Sequence, residues 1–204
     1  MLKTICPECN SFLSFFDNKL NNICKTINSY IDNNVNAYGK ILFTENVENI
    51  KKCIIGHILA GFTIPEKAND QTLHKKGEYR RIFKDYLLND KSLPDYMKLH
   101  YWYHLSDIII FNPCFSYTPD YKILKESFTC SIIKFKPFAF MLVDYRETIN
   151  YEFAFPILKS NNDKSFYLEY KSKYFIDEDY PFKVNSTGII LLSDENFYYA
   201  RKIK

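Results

Sequence analysis

The residues best equipped for chemistry in this chain are its cysteines and histidines, and several stand at metal-ligand spacings. Cys6-Pro7-Glu8-Cys9 carries two thiols in CxxC register, the spacing of a tight knuckle that offers two thiolates to one tetrahedral zinc. Cys53 and His57 stand four residues apart, so on a helix their side chains project side by side. Joined to the knuckle they complete a Cys6-Cys9-Cys53-His57 set, a Cys₃His tetrahedron. Cys24, fifteen residues after Cys9, is a second way to complete it. Against both stands a plainer reading, in which Cys53 and His57 belong to the apolar stripe of their helix and the cysteine packs as a small hydrophobe.

His100 and His104 repeat the four-residue spacing, with Tyr101, Trp102 and Tyr103 between them. A metalloprotease helix would place Glu directly after the first His to activate water, and Tyr101 stands there instead. The segment therefore reads as an aromatic ridge, whose functional version is a binding surface: His100, Tyr101, Trp102, Tyr103 and His104 stacking bases or anchoring a partner. With five glycines in the whole chain there is no Gly-rich phosphate loop, and no Gly-x-Ser-x-Gly elbow occurs. Cys114 and Cys130 lie in or beside strand-like runs with no histidine near them in sequence and read as packing. Asp144, Arg146 and Glu147 follow the most apolar strand and read as a charged turn.

The elements that must position these residues divide into two kinds. Phe12, Leu13, Phe16, Leu20, Ile23, Cys24, Ile27 and Ile31 recur at steps of three and four, one apolar stripe of a helix. Ile41-Leu42-Phe43 reads as a short strand. Thr44 then serves as N-cap of a second helix, with Glu45 and Glu48 in its first turn and Ile50, Cys53, Ile54, His57, Ile58 and Gly61 on one face. Residues 63–77 read as a loop, helical periodicity returns at Ile82, Phe83, Tyr86 and Leu87, and a further helix is expected from Asp95 to about Ser106. From Asp107 onward, aromatic and β-branched runs separated by polar turns such as Asn161-Asn162-Asp163 read as antiparallel strands. The expected fold class is α+β: a knuckle and helical region over 1–106, then a mostly antiparallel sheet over 107–204, with a soft boundary between them that one compact domain could also span.

The bulk numbers bound the rest. The 204 residues suffice for one sizeable core or two small ones, and 47% hydrophobic with 25% charged residues is ordinary for a globular protein. Seventeen Tyr and 18 Phe against one Trp are not ordinary, and with abundant Asn, Lys and Ile they match what AT-rich DNA encodes. A net charge of +3 is far from the excess that announces a nucleic-acid binder, although Lys75-Lys76 with Arg80-Arg81, and Arg201-Lys202-Lys204, are local basic patches. No run approaches 18 apolar residues, no secretion signal opens the chain, and six unevenly spaced cysteines do not resemble a disulfide framework. These features point away from membranes and toward a reducing, cytoplasmic compartment.

The start of the chain also carries a family resemblance. Ile5-Cys6-Pro7-Glu8-Cys9-Asn10-Ser11 with Asp17 resembles the back half of a zinc-bound HNH endonuclease module, in which a Cys-x-x-Cys-Asn knuckle leads into a helix. The resemblance covers residues 4 to 20, and the helix-like run Ile50–Ala60 is similar to one that follows in such proteins. In that family a first CxxC and a Glu-His pair precede this knuckle, and only Met1–Ile5 precede it here. Because HNH chemistry needs a histidine base and further cation ligands, the resemblance implies a degenerate module with structural zinc and no catalytic half. The resulting expectation is a non-catalytic interaction protein whose partner is a protein or a protein–nucleic-acid complex. One concrete version is a phage or mobile-element factor that inhibits a host defence complex of the CRISPR type. The alternatives are an HNH-type endonuclease completed by elements from elsewhere, and a direct nucleic-acid binder.

Overall fold

A computed structural model of the chain describes residues 7–33, 39–62, 71–89, 91–107, 109–117, 128–147, 155–162, 164–171, 174–175 and 198–200. Cys6, the strand expected over Thr187–Leu192 and the basic tail lie outside the described residues. The long first helix, α1, covers Pro7–Asn33 and buries Leu13, Phe16, Leu20, Ile23, Cys24 and Ile27. This is the stripe that periodicity predicts. Pro7 stands at the first described helical position, where its missing N–H goes unused in any helix.

A short strand, β1 (Gly39–Phe43), leads to the second helix, α2 (Val47–Ala60). The N-cap of α2 is Asn46 rather than Thr44, since the Asn46 Oδ1 accepts the backbone N–H of Glu48 at 2.9 Å. Glu45 completes the cap by accepting from the Asn46 N–H and the Asn49 side chain, and it reaches back to Lys19 of α1 at 2.9 Å. The two helices lie against each other with Gly56 facing Leu13 so closely that a Cβ at 56 would collide with the Leu13 methyls. α3 (Gln71–Leu88) begins inside the segment read as a loop and packs against α2, with Phe83 stacked on Phe62.

The expectation of a helix from Asp95 is corrected: Met97–Tyr103 is a strand, β2, and every residue in it except Lys98 is buried. Burial on both faces removes the alternation that marks a half-buried strand. Two histidines four apart then imitate a helical face. Tyr and Trp favour strands, and here that preference prevails. The remaining strands are β3 (Ile109–Tyr117), β4 (Phe128–Phe135), β5 (Phe138–Asp144), β6 (Ser160–Asn162), β7 (Ser165–Tyr170) and β8 (Tyr198–Ala200). They form two antiparallel sheets, one in the order β2-β5-β4-β3-β8 and one in the order β1-β7-β6.

The fold class is α+β, a helical region followed by a mostly strand region. Residue 106 nevertheless falls between segments that share structure. β1 pairs with β7 and β2 with β5 across it, and one apolar cluster runs from Leu13 to Tyr174. All seven residues of β5 are buried, as befits a central strand covered on both sides. Among the described residues no helix is long and apolar enough to cross a membrane.

Candidate metal centre

α1 and α2 bring three potential ligands to one point. On α2, Cys53 and His57 share a face through their four-residue spacing, and opposite them α1 contributes Asp17. The Cys53 thiol donates to Asp17 Oδ1 at 3.1 Å, and His57 Nε2 lies 3.0 Å from the same oxygen. All three ligand atoms fall within 4.8 Å of one another. Cys53 is buried, whereas the side chains of Asp17 and His57 are each 44% exposed, so the group opens to solvent on one side.

The arrangement suits a cation better than a nucleophile. A catalytic cysteine would hand its proton to an imidazole that a carboxylate orients from behind. Here thiol and imidazole converge on one carboxylate oxygen instead. Burial, followed by the hydrogen bond and charge of Asp17, pushes the Cys53 thiol well above its ordinary range, so thiolate is disfavoured beside that carboxylate. A divalent ion reverses that balance, because it deprotonates a coordinating thiol outright. Tetrahedral zinc at 2.0–2.3 Å from its donors holds them about 3.5 Å apart, close to the 3.1 and 3.0 Å that separate Asp17 Oδ1 from the other two donors. The mixed sulfur, nitrogen and oxygen set favours zinc-like ions over magnesium or calcium, which select oxygen alone.

The expected Cys₃His set is thus represented by Cys53 and His57, with Asp17 as their companion. Cys6 lies outside the described residues, and Cys9 is placed only as a backbone position in the first turns of α1. Eight residues of helix separate Cys9 from Asp17, a rise of about 12 Å. Cys24 is buried on α1 with its thiol pushed up to about 12 by that burial, and it is not part of the ligand group. In the sequence Asp17 stands out only as part of the knuckle motif. Its signal as a ligand was an acidic residue four positions after Leu13 and seven before Cys24, on the flank of an apolar stripe.

The aromatic ridge takes a different role from the surface anticipated for it. His100, Tyr101, Trp102, Tyr103 and His104 are all at most 1% exposed, so they build the interior and leave no ring open for stacking by a partner. Tyr101 and Tyr103 face β7, where the Tyr101 hydroxyl accepts the Glu169 N–H at 2.7 Å and the Tyr103 hydroxyl donates to the Glu169 carbonyl at 3.0 Å. On the other face Trp102 stacks on Phe155. His100 Nδ1 lies 2.9 Å from the Phe155 carbonyl, an acceptor only, so Nδ1 carries the proton and Nε2 accepts from the Tyr145 hydroxyl at 2.9 Å. Burial holds His100 neutral and lowers its pKa to about 4.

Asp144 and Arg146 form a clamp rather than a catalytic cluster. Burial alone would raise the Asp144 carboxyl, but hydrogen bonds from Arg146 and from the Tyr79 hydroxyl outweigh it and hold the group below its usual range. The same guanidinium reaches Glu78, which ties α3 to the end of β5. No protein-family model, curated protein or solved structure matches this chain.

Proposed function

We propose that this chain is a zinc-binding interaction protein with no chemistry of its own, and the observation that carries the proposal is the convergence of Asp17, Cys53 and His57 between two packed helices. Zinc there would fasten α1 to α2 and fix the orientation of the long first helix. The blunted Cys53 thiol and the engagement of His57 with Asp17 favour a structural over a catalytic role. Phe12 and Phe15 stand exposed on α1 just ahead of this point, as a surface for partner contact requires. The partner in this reading is a protein or a protein–nucleic-acid complex. Taken with the HNH-like Cys-x-x-Cys-Asn sequence, this reading makes the chain a decayed nuclease module reused as a phage or mobile-element factor against a CRISPR-type host defence.

Metal analysis of the purified protein tests the site. The expected result is one zinc per chain, lost in Cys53→Ser and in His57→Ala while the circular dichroism of both variants keeps its native form. Wild-type protein without metal, even after zinc is supplied during refolding, removes the proposal. The defence role has its own test. Expression in cells whose CRISPR-type system restricts a phage should restore plaques, and unchanged restriction would exclude it.

One observation favours a second reading. Three donors leave a fourth position for water, as catalytic zinc sites do. An HNH-type nuclease completed by another chain would use it. Plasmid nicking that depends on an added divalent ion and disappears in Asp17→Asn would establish that reading over the first.

A further inference from the structure

We infer that the outward face of the β1-β7-β6 sheet, with the clefts beside it, binds a single-stranded polynucleotide. The inference rests on reading the chain as a binding protein, and it is independent of the metal. Along β7 burial alternates, with Phe166, Leu168 and Tyr170 turned inward and Tyr167 exposed. The register sets Leu42 of β1 opposite Tyr167 and Lys40 opposite Glu169. Leu42 and Tyr167 are 49% and 40% exposed, so the outward face presents an aromatic ring beside an aliphatic side chain with an ammonium group two positions away.

One cleft borders this face, and a second adjoins the first across residues 157–160. One of about 230 Å³ is lined by Lys40, Lys159, Tyr167 and Glu169 among others, and one of about 200 Å³ by Lys51, Lys98, Lys159 and Asp95 among others. They share Ile157, Lys159 and Ser160, so this segment is a ridge between two halves of one track, with Lys159 on its crest. Four lysines meet two carboxylates there, whereas the chain as a whole has 27 basic and 24 acidic residues. Glu169 is already engaged by Lys171 at 2.6 Å and by the Tyr174 hydroxyl, which hold its carboxyl below the usual range. Lys51 is engaged by Glu48, while Lys40, Lys98 and Lys159 enter no ion pair among the described residues.

The chemistry that completes such a surface is a row of phosphates with accessible base faces. Lysines act as point charges for phosphate, and an exposed tyrosine on a sheet offers the sequence-tolerant platform on which a base stacks. A duplex keeps its base faces covered, so the stacking element selects a single strand. An acidic peptide would match the lysines but would leave the Tyr167 ring without a reason.

Fluorescence anisotropy with labelled oligothymidylate and oligouridylate, which separate DNA from RNA, tests the proposal across a salt series. Binding by wild-type protein is expected to weaken with salt at a slope of about −2, as about three lysine–phosphate contacts require for a single strand. Tyr167→Ala should weaken binding by about tenfold at every salt concentration. Lys159→Glu should weaken it and make the salt slope shallower by about 0.7, the share of one contact. Both side chains are on the surface, so retained thermal melting separates loss of binding from loss of fold. Absence of binding to either oligonucleotide at low salt overturns the inference, as does binding that both variants retain. Tighter binding of an acidic polyglutamate peptide than of either oligonucleotide would also overturn it. The same titration on Cys53→Ser keeps the two readings apart: undiminished binding by the metal-free variant leaves the track standing even if the zinc proposal falls.

Discussion

α2 carries one pair of potential metal ligands four residues apart, β2 with the residue just beyond it carries another, and the two pairs end in opposite kinds of environment. On α2 the helix brings Cys53 and His57 within about 6 Å of each other along one face and leaves them at a half-open junction with α1. Along β2 and one residue past its end, the same spacing carries His100 and His104 about 13 Å apart, and both lie in the interior. Backbone rise, more than residue type, decides whether a pair can share an ion. The contrast extends to the partners. His57 meets a carboxylate, which a cation can share, whereas His100 meets a carbonyl and a hydroxyl, which satisfy a neutral ring and ask for nothing more.

The widest break in this comparison is on the β2 side. Trp102→Ala removes a fully buried ring stacked on Phe155, and it should lower unfolding free energy by about 3–5 kcal/mol, read from a urea midpoint, while zinc content is unchanged. A smaller effect comes with acid. The His100 pKa is about 4 when folded against an ordinary value of 6.5, so the unfolded chain binds the extra proton first. The stability that His100 contributes is therefore complete above pH 6.5 and is lost as pH falls toward 4, by about 3 kcal/mol in all. Urea midpoints at neutral and acid pH should fall further apart in wild type than in His100→Gln; equal separations would contradict the buried neutral ring.

The α2 side should respond to metal and hardly to the ring substitutions. Zinc at about 100 times its dissociation constant should raise stability by about 2.7 kcal/mol in wild-type protein and by nothing measurable in Asp17→Asn. A comparable gain in both would show that Asp17 is not a ligand. The smallest effect concerns how α2 begins. Asn46→Ala should destabilise by about 1 kcal/mol through loss of the bond to the Glu48 N–H, and Thr44→Ala by much less. Thermal melts of the two variants side by side would settle which residue caps the helix.

Much of the helical half was legible in the sequence because α1 has one buried side and one wet side, so its period is written in Leu13, Phe16, Leu20, Ile23 and Ile27. β2 was illegible for the opposite reason: a strand covered on both faces has no period to read. The cap of α2 is ambiguous in the sequence because Thr44 and Asn46 both have capping side chains, and only the bond to Glu48 separates them. At the candidate site Cys53 and His57 were visible through local spacing. Asp17 meets them from 36 and 40 residues away, a relation fixed by how α1 lies on α2 and written in no local pattern. The track's four lysines come from four separate stretches of chain and are equally invisible as a group until these are folded together.

The pairing of β1 with β7 bears on how the molecule is made. Phe43 finds its partner in Phe166, more than a hundred residues further on. On a ribosome β1 would therefore emerge and wait, with its backbone donors and acceptors unpaired, while nearly all of the larger sheet is synthesised. Long-range closure of this kind slows folding. A chain halted before residue 165 would expose the inner side of β1 and the aromatic face of β2 that β7 covers, so the arrival of β7 also hides the surfaces most prone to stick.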